Sequence, residues 1–109
     1  MRASPERVIA TRDIDDLTND LCDALLTAES QVEMRHLLVD LCTPAEIRTM
    51  AERWHVARLL DSGELPYREI HERTGVSTTT IVRVGRFLRQ ERNRGYRRAI
   101  DRLAGGDAD

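Results

Sequence analysis

The apolar residues of this chain recur at helical rather than strand spacing. In residues 13–28 aspartates occupy one side, and the apolar side chains stand three or four positions apart: Ile14, Leu17, Leu21 and Leu25. Residues 31–41 repeat the pattern. No segment alternates apolar and polar residues as a half-buried strand does. The pattern predicts an all-α protein.

A third helix has a strong start signal. The Thr43 hydroxyl can cap it, Pro44 suits its first turn, and Glu46 can reach back to the Thr43 amide. We expect this helix to run to about Asp61, before a Ser-Gly pair. Its apolar residues lie nearly all the way round, which predicts a central helix that is buried on most sides.

Three shorter helices are predicted after it, over residues 66–74, 77–90 and 96–103, with a glycine turn between the first two. Six helices in about 90 residues cannot each bury a broad apolar stripe in one small monomer. We therefore expect the first two helices to pack against a second copy of the chain. The domain prediction is one helical domain over residues 13–104, with a helix-turn-helix at about 66–90 and flexible tails at 1–12 and 105–109.

Composition narrows the class of protein. The chain has 109 residues, 40% hydrophobic and 33% charged, with a net charge of −2. No apolar run approaches the roughly 20 residues of a membrane span, and the first residues lack a signal-peptide core. Cys22 and Cys42 are too few for a disulfide scaffold and are interpreted as buried thiols in a reducing compartment. We expect a cytoplasmic, nucleoid-associated protein with no membrane partner.

The net charge conceals a split along the chain. Residues 1–64 hold seven arginines against 13 acidic residues, whereas residues 65–104 hold ten arginines against four. A basic half of this kind is typical of a protein with a polyanionic partner. A solvated charged face, or internal pairing of the two halves, would produce the same counts, so charge alone leaves these alternatives open.

The basic half contains a candidate helix-turn-helix. Apolar residues stand where its two helices must touch, and Gly75 occupies the turn. Hydroxyls crowd the start of the second helix, where they can bind phosphate or base edges: Ser77, Thr78, Thr79 and Thr80. Arginines follow as candidate DNA or phosphate contacts: Arg83, Arg86, Arg89, Arg94, Arg97 and Arg98. Arg68, on the first helix, can reach a guanine bidentately. Double-stranded DNA becomes the favoured partner.

These residues also carry a family resemblance. Residues 41–88, and more loosely 13–103, resemble the tryptophan repressor superfamily, and in particular its YerC/YecD-like branch. The similar segments are Leu41–Glu46, Arg53–Leu60, Gly63-Glu64, Tyr67–Ile70, Thr74–Val84 and Gly95–Arg98. The resemblance implies an intertwined six-helix homodimer that binds operator DNA. It also places five residues at base-facing positions: Arg68, His71, Thr78, Thr79 and Val82.

The resemblance further implies a corepressor pocket. Arg53 and Arg83 match the two arginines that sandwich an indole ring in tryptophan-binding members, and Thr43 matches a pocket residue from the partner subunit. Val84 and Phe87 replace a glycine and a serine that leave room for the ring. Filling that space costs about 1–3 kcal/mol, so we expect a vestigial pocket, no cofactor and no response to tryptophan. We expect no small-molecule effector to be required, and the sequence identifies none.

Other functions have weaker support. The three histidines lie on separate helices without cysteine or carboxylate partners at ligand spacing, so no metal site and no enzyme are expected. The prediction is a transcriptional regulator, a repressor, that binds a palindromic operator as a homodimer. The alternative is a helical dimer whose basic face binds an acidic protein partner, or nucleic acid without sequence preference.

Overall fold

The structure is a computed structural model that describes residues 13–90 and 92–105. Within them it contains no strand and six helices, numbered here as α1 Ile14–Leu26, α2 Gln31–Leu41, α3 Pro44–Ser62, α4 Tyr67–Thr74, α5 Thr78–Arg89 and α6 Gly95–Gly105. The predicted all-α class is confirmed. The predicted tail at 1–12 lies outside the described residues, as do residues 106–109, and α6 extends to Gly105.

Short polar side chains cap the starts of α1 and α2. The Asp13 carboxylate accepts a hydrogen bond from the Asp15 amide (2.9 Å) at the start of α1. At α2, Ser30 Oγ accepts from the Glu33 amide (3.1 Å), and Glu33 Oε1 accepts from the Glu29 amide (2.8 Å). Each cap satisfies an amide that has no partner inside its helix.

The chain divides into two compact units between Thr43 and Pro44. The first unit contains α1 and α2, neither of which has a buried residue. Seven of its large apolar side chains are exposed: Ile14, Leu17, Leu21, Leu26, Val32, Val39 and Leu41. The expectation of two buried cysteines is wrong for the isolated chain, because Cys22 is exposed and Cys42 only half-buried. Two short helices are too small to enclose side chains on their own.

The second unit contains the buried core. Its members are Val56, Ala57, Leu60, Ile70, Val76, Ile81, Val84, Leu88 and Ile100. The rings of Trp54 and Tyr96 stack beside it with centroids 6.4 Å apart. The expectation that α3 is buried on most sides is wrong for one chain, since only Val56, Ala57 and Leu60 of this helix are buried. α4, α5 and α6 pack on α3 and cover one side of it.

Candidate nucleic-acid interface

A hydrogen-bonded turn joins α4 to α5. Gly75 ends α4 with φ 77°, a left-handed conformation that suits glycine, and its amide donates to the His71 carbonyl (2.9 Å). Thr74 Oγ1 donates to the Ile70 carbonyl (2.7 Å) and accepts from the Val76 amide (3.1 Å). The turn thus has fixed geometry, and the glycine stands where the sequence predicted the reversal.

His71 adds a further bond to this turn. Its Nδ1 lies 2.8 Å from the carbonyl oxygen of Val76, the residue before the Ser77 cap of α5. The imidazole therefore lies beside the start of α5, although His71 belongs to α4.

The four hydroxyl residues at the start of α5 divide into two pairs. Ser77 Oγ accepts from the Thr80 amide (3.1 Å) and also bonds the Thr80 hydroxyl (3.0 Å), so Ser77 and Thr80 form the helix cap. Thr78 and Thr79 are exposed on the first turn. Cap formation accounts for Ser77 and Thr80. Thr78 and Thr79 are exposed and available to a partner outside the chain.

The sequence-predicted base-facing residues all belong to the second unit. Arg68 and His71 lie on α4, and Thr78, Thr79 and Val82 lie on α5, with Val82 44% exposed and the other four exposed as well. Their helices bury Ile70, Ile81 and Val84 in the core. The helix-turn-helix thus has one apolar side against α3 and one polar side that faces solvent.

The arginines of the second unit fall into two groups: some bond to other residues of the chain, and others face solvent. Arg89 donates from Nη1 to Tyr67 Oη (3.0 Å) and from Nη2 to the Leu60 carbonyl (3.1 Å), which bridges α5 to the end of α3. Arg97 donates from Nη2 to Asp61 Oδ1 (2.7 Å), and its Nε lies 3.2 Å from Asp101 Oδ1. The hydrogen bond to Asp61 raises the pKa of Arg97 above its ordinary value. Both guanidinium groups therefore bond to residues of the same chain.

Other arginines face solvent. Arg86, Arg94 and Arg98 are exposed, and none of them pairs with a carboxylate within residues 13–90 and 92–105. Arg83 is also exposed, and its guanidinium lies 4.5 Å from the centroid of the Phe87 ring, which is cation–π geometry. A basic surface thus accompanies α5 and continues to α6.

Sequence reasoning missed the junction between Tyr67 and Gly85. Gly85 is buried in the middle of α5, and a Cβ at this position would collide with Tyr67 Oη and meet Leu60 Cδ1 at 3.6 Å. The same Tyr67 hydroxyl accepts the bond from Arg89. A glycine inside a helical pattern, which costs about 1 kcal/mol relative to alanine, was the available signal.

The structure places the residues of the predicted corepressor pocket as follows. Val84 is fully buried in the core, and Phe87 is half-buried under the Arg83 guanidinium. Beside them lies a depression of about 300 Å³ lined by Arg83, Phe87, Asn93, Gly95 and Tyr96. The Arg53 Nε is buried and has no hydrogen-bond partner among the described residues. Thr43 belongs to the first unit.

Neither a metal centre nor a membrane span is found in the part of the chain that the structure describes. There, no three side chains of histidine, cysteine, aspartate or glutamate are grouped as a metal ion requires. No helix among the same residues is both long enough and apolar enough to cross a bilayer.

Comparisons with known proteins agree with this geometry. The family model described as Trp repressor protein matches residues 17–104. An uncharacterized Bacillus subtilis protein, YerC, is 39% identical over 85 residues, which cover 78% of this chain and 80% of that protein. A Trp operon repressor homolog from Chlamydia trachomatis is 37% identical over 70 residues, which cover 61% of this chain and 74% of the homolog.

A solved structure has the same fold. The crystal structure of a TrpR-like protein from Eubacterium eligens superposes with a TM-score of 0.75 at 36% identity, and covers 82% of this chain and 90% of that one. The family model spans most of the chain, including the whole helix-turn-helix. The chain therefore belongs to the Trp repressor protein family, whose members are DNA-binding regulators of transcription.

Proposed function

We propose that this protein is a sequence-specific repressor that binds a palindromic operator as a homodimer through α4 and α5. The observation that carries the proposal is the exposed first turn of α5. Thr78 and Thr79 face solvent there, and Arg68 and His71 are exposed on α4, the other helix of the motif. Threonine methyl and hydroxyl groups suit thymine methyls and base edges, and arginine suits guanine, in a major groove that admits a helix.

The exposed arginines supply the phosphate contacts of this proposal. Arg86, Arg94 and Arg98 follow the reading turn, and such contacts set the register of a protein on the duplex without reading sequence. Arg89 and Arg97 instead hold the fold, because Tyr67, Leu60 and Asp61 engage their guanidinium groups.

The homodimer follows from the first unit. α1 and α2 expose seven large apolar side chains and bury none. A second copy of the chain would remove this surface from water and place two reading helices on one duplex. The half-sites of a dimeric helix-turn-helix protein lie about 34 Å apart, one helical turn of DNA.

Selection of bound duplexes from a random pool, at near-physiological salt and without added small molecule, tests the proposal. We expect enrichment of a palindrome with half-sites one turn apart. Salt-sensitive binding without enrichment would show a nonspecific polyelectrolyte interaction, and an absence of binding would favour an acidic protein partner.

The reading face is tested with a matched pair of variants. Arg68→Ala should relax preference at one symmetric pair of positions, with a loss of about 1–3 kcal/mol. Arg73→Ala is the control, because Arg73 is an exposed arginine of the same helix that pairs with Glu69 at 2.9 Å. Equal sequence preference in both variants would contradict the assignment of Arg68.

We also propose that repression does not respond to tryptophan. Val84 is packed in the core, and the Phe87 ring lies under Arg83, the arginine that would cover an indole. Calorimetric titration of the protein with L-tryptophan should give no saturable heat. A micromolar dissociation constant would refute this proposal and leave the DNA-binding proposal intact.

A further inference from the structure

The tautomer of His71 follows from its partner in the turn. Nδ1 lies 2.8 Å from the Val76 carbonyl oxygen, and a carbonyl oxygen only accepts hydrogen bonds. Nδ1 must therefore carry the hydrogen. In a neutral imidazole the other nitrogen, Nε2, then has a lone pair and acts as an acceptor.

The position of Nε2 is equally constrained. The bond to Val76 fixes one edge of the ring against the turn, and Nε2 lies on the far edge of the same ring. Val76 immediately precedes the Ser77 cap, and Thr78 and Thr79 are exposed one residue further on. Because Nδ1 is engaged with the turn and His71 is exposed, Nε2 is the ring nitrogen left to meet a partner outside the chain.

We propose that His71 is a specificity-determining residue that accepts a hydrogen bond from an exocyclic amino group of a base. The inference rests on the proposed function. In the major groove the donors are cytosine N4 and adenine N6, whereas guanine N7 and O6, thymine O4 and the phosphate oxygens are all acceptors. A neutral His71 with Nδ1 already engaged has no hydrogen to offer those acceptors.

The turn does not depend on His71 alone. Thr74 Oγ1 and the Gly75 amide make their own hydrogen bonds across the same residues, and Gly75 adopts the left-handed conformation that the reversal needs. Substitution of His71 therefore leaves a folded helix-turn-helix, and binding measurements on the variants remain interpretable.

Two variants distinguish a His71 that binds a base through Nε2 from one that only stabilises the turn through Nδ1. In His71→Asn the side-chain amide nitrogen can occupy the place of Nδ1 and donate to Val76, but no acceptor stands at the place of Nε2. In His71→Ala both functions are lost. A purely structural histidine would be rescued by asparagine, whereas a reading histidine would not.

The test uses the palindrome selected by the wild-type protein. Each adenine of the half-site is replaced by purine, and each cytosine by 2-pyrimidinone, so that one amino group is removed at a time. At one position we expect the wild-type protein to lose between about fivefold and 150-fold in affinity. The affinities of His71→Asn and His71→Ala should not fall at that position when the amino group is removed, because neither side chain has an acceptor at the place of Nε2.

The possible failures are distinguishable. If every amino-group deletion weakens wild type and His71→Asn alike, His71 does not read a base and only this inference is overturned. If His71→Asn keeps the wild-type dependence and His71→Ala loses it, the role is turn support, which also overturns it. If the wild-type protein selects no sequence at all, the proposed function fails, and this inference fails with it.

Discussion

Arg97 and Arg98 are neighbours in the chain, yet their side chains have different surroundings. Arg97 is held by Asp61 of α3 and by Asp101, whereas Arg98 is exposed. Their consecutive positions on one helix direct the two side chains to different sides. A count of basic residues assigns both to DNA, but the structure makes one an internal tie between α3 and α6.

This difference predicts two distinct phenotypes. Arg98→Ala should weaken all duplexes alike and reduce the slope of log affinity against log salt by about 0.9, the value for one neutralised phosphate. Arg97→Ala should leave the slope unchanged and lower the melting temperature, because it leaves Asp61 without its cation. Salt titrations of duplex binding and thermal unfolding of both variants check the prediction, and an unchanged melting temperature for Arg97→Ala would contradict it.

Arg94 has an unfavourable backbone conformation. Its φ is 62°, the one positive φ at a non-glycine residue in the described part of the chain, and its carbonyl accepts from the Arg98 amide (3.0 Å) as α6 begins. A side chain in the left-handed region costs about 1 kcal/mol, so glycine would suit the position better. An arginine here favours a contact outside the fold.

Arg94→Gly is therefore expected to act in opposite directions on stability and binding. The free energy of unfolding should rise by up to about 1 kcal/mol, while duplex affinity falls through the loss of a phosphate contact. Arg92→Gly is the control, since Arg92 is an exposed residue of the same loop without a positive φ, and it should lower stability. Urea unfolding and duplex titration measure both quantities, and a loss of stability in Arg94→Gly would refute the argument.

At the scale of elements, α5 is positioned by its contact with Tyr67. The missing side chain of Gly85 leaves room for the Tyr67 hydroxyl, and that hydroxyl accepts from Arg89 one turn further along α5. Arg89 also caps α3 at the Leu60 carbonyl. Three helices are joined at one point, which fixes how α5 packs on α3.

Gly85→Ala should disrupt this junction. The new methyl group would collide with Tyr67 Oη, and overpacking of this kind costs about 1–3 kcal/mol of unfolding free energy. Gly105→Ala is the control, because no atom of the described residues lies within 4 Å of a Cβ built there, and it should be close to neutral.

Addition of Tyr67→Phe to Gly85→Ala removes the colliding hydroxyl and should recover part of the loss. Chemical unfolding of the single and double variants measures the coupling between the two positions. Strictly additive losses would show that the hydroxyl is not what restricts position 85.

At the scale of the whole molecule, a single chain leaves the apolar side chains of α1 and α2 exposed to solvent. The second unit has a core, whereas residues 13–43, the described part of the first unit, include no buried residue and expose apolar side chains on both helices. Such a surface is typical of an element that is completed by association. A second copy of the chain would cover the apolar side chains of α1 and α2, and the proposed homodimer rests on this argument.

An acidic side chain introduced into the apolar surface of α1 should separate the two chains of the proposed dimer. We expect the wild-type protein to sediment at twice the chain mass of 12.5 kDa, and Leu21→Glu to shift it toward a single chain, because a carboxylate would have to be buried in the interface. Asn19→Glu, on the polar side of α1, is the control and should stay associated. A monomeric wild-type protein would contradict the proposed dimer.

Local signals in the sequence predicted the elements of the fold. The glycine turn at Gly75, which the sequence predicted, depends on residues within a few positions of one another. The caps that the structure shows at Asp13, Ser30 and Ser77 are equally local. Helical periodicity likewise identified Ile70, Ile81 and Val84 as core residues. Arg68, Thr78 and Thr79 were predicted as DNA contacts from their residue types near the starts of the two helices, and as base-facing positions from the family resemblance.

The partners of distant side chains could not be obtained in this way. Arg97 meets an aspartate 36 positions earlier and Arg89 a carbonyl 29 positions earlier, and no local pattern distinguishes them from Arg98 or Arg86. The exposure of Cys22 and the single buried side of α3 likewise depend on which helices pack together. Helix starts, turns and periodic faces arise from short-range backbone bonding, so the sequence alone determines them. The tertiary structure decides which arginines bind within the fold and which face solvent, and it decides the tautomer of His71. Both depend on contacts that exist only once the chain is folded.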